Sequence, residues 1–294
     1  MDRWSFRLVD VFTDHPLAGN QLAVFEDAAS IPESLLQPLA QELDYSETVF
    51  AYPARGADAR IRIFTPTSEV PFAGHPVLGT AVVVATNIGA DRVLLETGRG
   101  PVPVRIDRAT GRTTRGVMEQ PIPTFKLYDR AQEFLHAIGV DRSLLPVTIY
   151  DNGIPHVYVM LERPDDVAEL RPDFSSLTAL ARSSGLSLIG FNVFSGSGLA
   201  WKTRMFAPAD DIAEDPATGS AAGPLALHLA RHGQIPWDTE IRIAQGAEIG
   251  RPSELLARVT GDADRVTRIE VGGYAVPVGG GWFDGELLRA IGTD

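Results

Sequence analysis

The chain contains no cysteine. This absence excludes disulfides, thiolate metal sites, thiol nucleophiles and any reaction in which two thiols exchange protons. Long hydrophobic runs are also missing, since no stretch approaches the roughly 18 apolar residues that a membrane helix needs. Residues 1–10 lack the apolar segment of a signal peptide and instead predict a strand. We therefore expect a cytoplasmic protein.

Positive charge is scarce and dispersed. The chain has 26 Lys and Arg against 38 Asp and Glu, which gives a formal net charge of −12. Because no run of Lys or Arg is present, we expect neither nucleic acid nor a membrane surface as a partner. An anionic substrate would have to be attracted by local groups, since the net charge repels it.

Common catalytic motifs are missing as well. There is no Walker phosphate loop, no Gly-x-Gly-x-x-Gly after a strand and no Gly-x-Ser-x-Gly elbow. His228 and His232 stand four residues apart, but they lack the intervening Glu of a zinc-protease helix. We interpret both as surface or helix-end histidines and expect no metal site.

What the sequence does contain is a long internal repeat. The phrase Arg-x-Phe-x-Pro at residues 62–66 returns at residues 204–208, and each copy precedes a glycine turn that opens an apolar helix, at Gly74 and at Gly219. Neighbouring strand and helix patterns repeat at similar offsets of about 140 residues, which indicates domain duplication. Ser30-x-x-Glu33 predicts that the first amphipathic helix begins at Ser30.

The repeat predicts an α+β fold of two similar domains. Short alternating segments surround each apolar helix, and a helix without a polar face must be enclosed. The joint lies near two prolines, so we divide the chain into residues 1–120 and 121–294. A C-terminal strand at about residues 275–290 is a candidate to return to the first domain.

The starts of the two apolar helices are candidate anion sites. The first turn of a helix leaves backbone N–H groups unpaired and has a partial positive charge. Gly74 in one half, and Gly219 with the Ser220 hydroxyl in the other, suit a carboxylate. Taken singly, each glycine is better explained as a tight entry to a packed helix, whereas the matched pair favours a ligand site.

Three ionisable residues lie close to these turns in sequence. His75 at a helix start is expected to be neutral, and Asp215 has the alternative role of an ordinary helix cap. Glu214 is expected to be solvated. Glu47 is on a strand where the other half has Phe191, so it is either an edge charge or a buried acid suited to proton transfer.

These residues lie in motifs that resemble the phenazine-biosynthesis isomerases, the PhzF-like family of the diaminopimelate-epimerase fold. The resemblance covers nearly the whole chain. The family motifs are Ala18–Asn20, Ser46–Thr48, Phe64–Pro66, Pro71–Pro76 and Glu214–Ser220, and those of the phenazine branch are Gln120–Thr124, Ala221–Ala226, His228–Gln234 and Gln245–Ser253.

The resemblance implies a barrel-like mixed sheet around a central helix in each domain, with the active site in the cleft between them. It also implies a homodimer that needs no metal and no organic cofactor. Glu47 would be the proton carrier, assisted by His75 and Asp215. The predicted substrate-binding residues are Ser46, Gly74, Gly219 and Ser220.

The substrate that the resemblance implies is a small carboxylate, trans-2,3-dihydro-3-hydroxyanthranilate. The reaction would be proton transfer between ring carbons, followed by enol-to-keto tautomerisation. Two departures from the family pattern are Gln21, where Pro is usual, and Ser68, where the phenazine branch has Asn. Two alternatives stay open: an isomerase of another conjugated amino or imino acid, and a catalytically silent ligand-binding homologue.

Overall fold

The structure is a computed structural model that describes residues 3–108, 113–186 and 188–291. Its internal contacts divide the chain into two compact units, Met1–Met118 with Gly272–Asp294, and Glu119–Val271. Within the described ranges, no helix is both long enough and apolar enough to cross a membrane.

The chain alternates strands with a few helices. Its first part contains β1 (Arg3–Val11), β2 (Asn20–Phe25), α1 (Glu33–Leu43), β3 (Glu47–Tyr52), β4 (Ala59–Phe64), β5 (Glu69–Val70), α2 (Gly74–Ile88), β6 (Arg92–Thr97), β7 (Gly100–Arg108) and β8 (Thr114–Gln120).

The remaining elements follow the same alternation. They are β9 (Thr124–Leu127), α3 (Ala131–Ala137), β10 (Thr148–Asp151), β11 (Pro155–Met160), α4 (Pro164–Ala168), α5 (Phe174–Ser183), β12 (Gly190–Ser197), β13 (Ala200–Ala207), β14 (Ile212–Asp215), α6 (Gly219–Arg231), β15 (Ile241–Gln245), β16 (Ser253–Gly261), β17 (Val266–Asp284) and α7 (Gly285–Ile291).

Both units use one order of strand pairing. In the first unit β1 is antiparallel to β2, β2 parallel to β3, β3 antiparallel to β4, β4 parallel to β6, and β6 antiparallel to β7. In the second unit β10, β11, β12, β13, β15 and β16 repeat this series of orientations. The short strands β5 and β14 pair with β4 and β13 in the two units. The duplication that the sequence predicts is therefore present in the topology.

An apolar helix lies inside each mixed sheet. Helix α2 packs against β1, β2, β3, β6 and β7, and helix α6 packs against β11 and β16. Every residue of α6 except Arg231 is buried, and in α2 the exposed residues are confined to the last turn, as a lack of a polar face requires. The predicted α+β class, with a barrel-like sheet around a central helix, is confirmed.

A second hydrophobic core covers the outer face of the sheet in each unit. Helix α1 packs Leu36 and Leu39 against Phe25 and Phe50. The outer core of the second unit contains Leu177, Leu180, Phe134, Phe191 and Phe206. Each sheet is therefore packed on both faces, against the central helix on one side and against this second core on the other.

The predicted start of α1 at Ser30 is wrong. The helix begins at Glu33, its N-cap is Pro32, and no side chain caps it. The physical reason is the proline, because the residue before a proline is driven out of the helical region, which keeps Ile31 non-helical.

Candidate active site

Glu47 is the first residue of β3 and follows the predicted binding residue Ser46. It pairs with Leu22 of the parallel strand β2. Its side chain is only 14% exposed, and its Oε2 lies 3.5 Å from Nδ1 of His75. The structure therefore brings together the two residues of the first unit that the sequence assigned to proton transfer.

His75 is the second residue of α2 and is buried. Burial lowers the pKa of His75 to about 3, and the backbone of Gln21 opposes this shift only in part. The imidazole is therefore neutral near pH 7, and its contact with Glu47 is not an ion pair. Nδ2 of Asn20 lies 3.3 Å from the same Nδ1, so two polar side chains meet one ring nitrogen.

Helix α2 begins at Gly74, as predicted, without a side-chain cap. Ala73 is its N-cap in an extended conformation, and the Val77 amide donates to the Ala73 carbonyl over 3.3 Å. Pro76 has no N–H, so the amides of Gly74 and His75 are the donors of this first turn. Backbone donors and the helix dipole together suit an anion here.

Helix α6 begins at Gly219 in the same way. Thr218 is its N-cap without a capping side chain, and its carbonyl accepts from the amides of Ala221 and Ala222 over 3.1 and 3.2 Å. The amides of Gly219 and Ser220 lie before the first residue that donates a hydrogen bond within the helix. Both predicted helix starts thus present backbone donors.

Asp215 is not the cap of α6, which was its alternative interpretation. It ends β14, and its Oδ2 accepts from the Thr218 hydroxyl over 2.6 Å. Gln245 braces this turn, because its Nε2 donates to the Asp215 carbonyl (2.8 Å) and to Thr218 Oγ1 (2.9 Å). Its Oε1 accepts from the Thr218 amide over 3.2 Å. The buried carboxylate is therefore held at a fixed position before α6.

Glu214 is buried, so the prediction that it is solvated is wrong. It forms a bidentate pair with Arg204, through Nε at 2.9 Å and Nη2 at 2.7 Å. The two side chains are only 6% and 7% exposed. Arg204 also donates to three backbone carbonyls, so its charge is fully hydrogen-bonded. This pair anchors the strand that ends at Asp215.

Ser220 meets a buried imidazole from β11. Nε2 of His156 lies 2.9 Å from Ser220 Oγ, and Nδ2 of Asn192 lies 3.3 Å from His156 Nδ1. Burial lowers the pKa of His156 to about 3, so this ring is also neutral. The sequence assigned no role to His156 or Asn192, because the contacts join strands that are distant along the chain.

The strand registers show which residues are equivalent in the two units. Leu22 pairs with Glu47 in the first unit, and His156 pairs with Gly190 in the second. One residue further, Thr48 pairs with Phe64 and Phe191 pairs with Phe206. Gly190, and not Phe191, is therefore the counterpart of Glu47. The predicted match between Glu47 and Phe191 is therefore wrong by one residue.

His228 lies in the last turn of α6, at the helix end as predicted, but it is buried and not on the surface. Its Nδ1 lies 3.1 Å from the Tyr150 hydroxyl, and its ring stacks on Tyr158. Burial lowers its pKa to about 3. His232 is the C-cap of α6, at the helix end where the sequence placed it. Among the residues that the structure describes, no group of three His, Asp or Glu could hold a metal ion.

The two departures from the family pattern lie in ordered local structure. Gln21 pairs with Asp10 between β2 and β1, where its N–H is compatible with strand pairing. Ser68 closes a turn in which its carbonyl accepts from the Thr65 amide over 2.8 Å.

Comparisons with known proteins agree with this architecture. A family model described as phenazine biosynthesis-like protein matches residues 9–281. A trans-2,3-dihydro-3-hydroxyanthranilate isomerase of Pseudomonas fluorescens is 44% identical over 278 residues, which are 94% of this chain and 98% of that protein. Its namesake from Pseudomonas aeruginosa is 45% identical over 267 residues, 90% of this chain and 94% of that one.

Solved structures give the same result. The crystal structure of a phenazine biosynthesis protein of the PhzF family from Bacillus anthracis aligns with a TM-score of 0.84 and 25% identity, covering 97% of this chain and 100% of that chain. The predicted family and the predicted class of enzyme, an isomerase, are confirmed. The chain belongs to the phenazine biosynthesis-like protein family.

Proposed function

We propose that this chain isomerises trans-2,3-dihydro-3-hydroxyanthranilate and that Glu47 carries the proton. The names of relatives at 44% and 45% identity support the substrate. The observation that supports the residue is the contact between the largely buried Glu47 carboxylate and a neutral imidazole, His75, at the start of α2.

A proton carrier must exist in both protonation states during one turnover. A carboxylate held in an ion pair is strongly biased towards its charged form. Because His75 is neutral, it does not impose that bias on Glu47. Because Nδ2 of Asn20 faces His75 Nδ1, this ring nitrogen is an acceptor, and it can accept from Glu47 only while the carboxyl group is protonated. This pairing fits a group that first accepts and then donates.

The other polar groups would bind and orient the substrate. In this proposal the Gly74 amide, the amides of Gly219 and Ser220 and the Ser220 hydroxyl hold the substrate carboxylate. Ser46 adds a polar contact beside Glu47. His75 and Asp215 position the amino and hydroxyl groups and stabilise the charge that develops on the ring.

The reaction is a proton transfer in which nothing is oxidised or reduced. Glu47 removes the proton from the ring carbon bearing the hydroxyl group, and the diene electrons shift along the ring. Glu47 then delivers a proton, either the one it removed or one exchanged with water, to the carbon bearing the carboxylate. The resulting enol tautomerises to the ketone, so atoms and charge balance. One base suffices because both carbons present the same ring face to it.

The first test replaces Glu47 by Gln, which keeps the shape but cannot accept a proton. We expect kcat to fall by about 10³-fold or more, within the range of lost acid–base catalysis. The loss of the substrate's ultraviolet absorption measures the rate, and deuterium uptake at the carboxylate-bearing carbon in heavy water tests proton delivery.

The matched control is Glu42→Gln, an exposed carboxylate on α1 of the same unit. Near-native turnover by the Glu47 variant would refute its role. A wild-type protein that neither changes the absorption of this substrate nor incorporates deuterium would refute the substrate. The homodimer and the cytoplasmic location stay predictions, to be checked by the mass in solution and by cell fractionation.

A further inference from the structure

The contact between Ser220 and His156 has two possible chemical meanings. If the imidazole accepts from the hydroxyl, it activates the serine as a nucleophile. If the imidazole donates, the serine oxygen is occupied as an acceptor and its own hydrogen points away. The two side chains are buried and their heavy atoms lie 2.9 Å apart, so the proton position decides between these meanings.

Asn192 fixes that proton position. Its Nδ2 lies 3.2 Å from the Gly190 carbonyl and 3.3 Å from the Val157 carbonyl, so the amide nitrogen faces two acceptors and its orientation is set. The same Nδ2 lies 3.3 Å from His156 Nδ1. An amide nitrogen offers no acceptor, so a proton on Nδ1 would point at a donor, and Nδ1 is therefore the unprotonated nitrogen of the ring.

The ring proton is therefore on Nε2, the nitrogen that faces Ser220. Nε2–H donates to Ser220 Oγ, and the hydroxyl hydrogen is directed away from the imidazole. An imidazole in this tautomer cannot take a proton from the serine. Burial keeps the pKa of His156 far below neutrality, which prevents a second proton from reversing this arrangement.

We propose that His156 is a positioning residue that holds the Ser220 hydroxyl as a hydrogen-bond donor towards the substrate carboxylate. The inference rests on the proposed function, because it assumes that Ser220 binds this carboxylate. Asn192 acts one step further away by fixing the tautomer. The series Asn192, His156 and Ser220 gives the hydroxyl one direction, so the enzyme does not have to order it when substrate binds.

Gly190 provides the space for this imidazole. A Cβ at Gly190 would lie 2.4 Å from His156 Nδ1, closer than real contacts allow. Gly190 occupies the position equivalent to Glu47, so the second unit has no side chain there and the imidazole from β11 lies against the glycine. Gly190→Ala therefore displaces His156 without changing its chemistry.

The test is a double-mutant cycle in steady-state kinetics. We expect Ser220→Ala to raise KM by about 10- to 100-fold, the effect of one lost charge-assisted hydrogen bond. His156→Leu should raise KM by about 5- to 20-fold with a smaller change in kcat, and His156→Gln, which keeps an N–H donor, should restore most of it. Combined with Ser220→Ala, His156→Leu should add nothing further.

The matched structural control is Tyr158→Phe. Tyr158 is two residues along β11 and donates to the Ala221 carbonyl over 2.7 Å, so it braces the same helix turn without touching the Ser220 hydroxyl. Tyr158→Phe and Ser220→Ala should act independently, so the rise in KM of the double variant should equal the product of the two single effects. If His156→Leu folds poorly, Gly190→Ala takes its place in the cycle and should show the same rise in KM.

Two outcomes would overturn the inference. One is a native KM in both His156→Leu and Gly190→Ala. The other is a double variant whose KM equals the product of the single effects, because His156 would then act independently of the hydroxyl. The activity of Glu47→Gln separates the two proposals: if that variant is inactive while the cycle is additive, only the role of His156 fails.

Discussion

At the scale of single residues, the two equivalent helix starts meet different side chains. Glu47 meets His75 at the start of α2, whereas His156 meets Ser220 at the start of α6. The first pair can change its protonation, because a carboxylate is present. The second is a neutral donor series that can orient a hydroxyl but cannot accept a proton from it. The two repeated helix starts thus differ in the polar groups beside them, a carboxylate with an imidazole at α2 and an imidazole with a hydroxyl at α6.

A second residue-scale contrast concerns the repeated Arg-x-Phe-x-Pro phrases. Arg204 and Glu214 form a buried pair, so Glu214→Gln leaves a buried guanidinium without its counter-charge. We expect the free energy of unfolding to fall by about 3–5 kcal/mol. Chemical denaturation of the purified variant measures this loss.

The control for that variant comes from the first unit. Arg62 forms the equivalent bidentate pair with Glu69, but the Glu69 side chain is 43% exposed and Glu33 also contacts the arginine. Solvent screens this pair, so Glu69→Gln should cost about 0–1 kcal/mol. Equal losses in both variants would contradict the argument from burial.

At the scale of elements, the sequence predicts what depends on local pattern. The starts of α2 and α6 at Gly74 and Gly219 follow from a glycine turn before an apolar run, and the structure confirms both. The predicted start of α1 at Ser30 is wrong because Pro32 overrides the capping-box pattern of Ser30 and Glu33. Local signals compete there, and the restriction before proline is the stronger one.

The candidate site was predictable only in part for a related reason. Glu47 and His75 are recognisable because each is unusual for its element, a charge on a strand and a histidine in an apolar helix. The partners His156, Asn192 and Gln245 are ordinary polar residues on strands. Their roles arise from strand register and from contacts across many residues of chain, which periodicity does not report.

Helix α2 offers a prediction about its interior. Ala is a better helix former than Gly by about 0.5–1 kcal/mol. A Cβ at Gly79, however, would lie 2.6 Å from Leu22 Cδ2 and 2.7 Å from Val11 Cγ2, both in buried side chains. Overpacking costs about 1–3 kcal/mol, so we expect Gly79→Ala to lower the free energy of unfolding.

The control for this variant is on the same helix. Thr86 is exposed, and its hydroxyl donates to the Val82 carbonyl over 2.7 Å within the helix. Thr86→Ala gains helix propensity without meeting any neighbour, so its melting temperature should stay equal or rise. A rise of similar size in Gly79→Ala would show that the strands leave room that the structure does not indicate.

At the scale of the whole molecule, two effects of acid oppose each other. The net charge is −12 near neutrality, so protonation between pH 7 and pH 5 brings the chain towards zero charge and relieves repulsion. Buried histidines act in the other direction. His75, His156 and His228 each have a folded pKa of about 3, well below the unfolded value of 6.5.

The sign of the histidine effect follows from proton binding. Between pH 6.5 and pH 3 the unfolded chain binds protons at these rings and the folded chain does not, so stability falls as the pH falls. Each ring costs on the order of 2 kcal/mol by pH 5, and three together approach the 5–15 kcal/mol that stabilise an ordinary domain.

We therefore expect the urea midpoint to drop steeply from pH 7 to pH 5, although repulsion declines over the same range. His156→Gln should make that decline shallower, because it removes one of these neutral buried rings. A midpoint that rises towards pH 5 would mean that net charge, and not the neutral buried histidines, governs the acid stability of this protein.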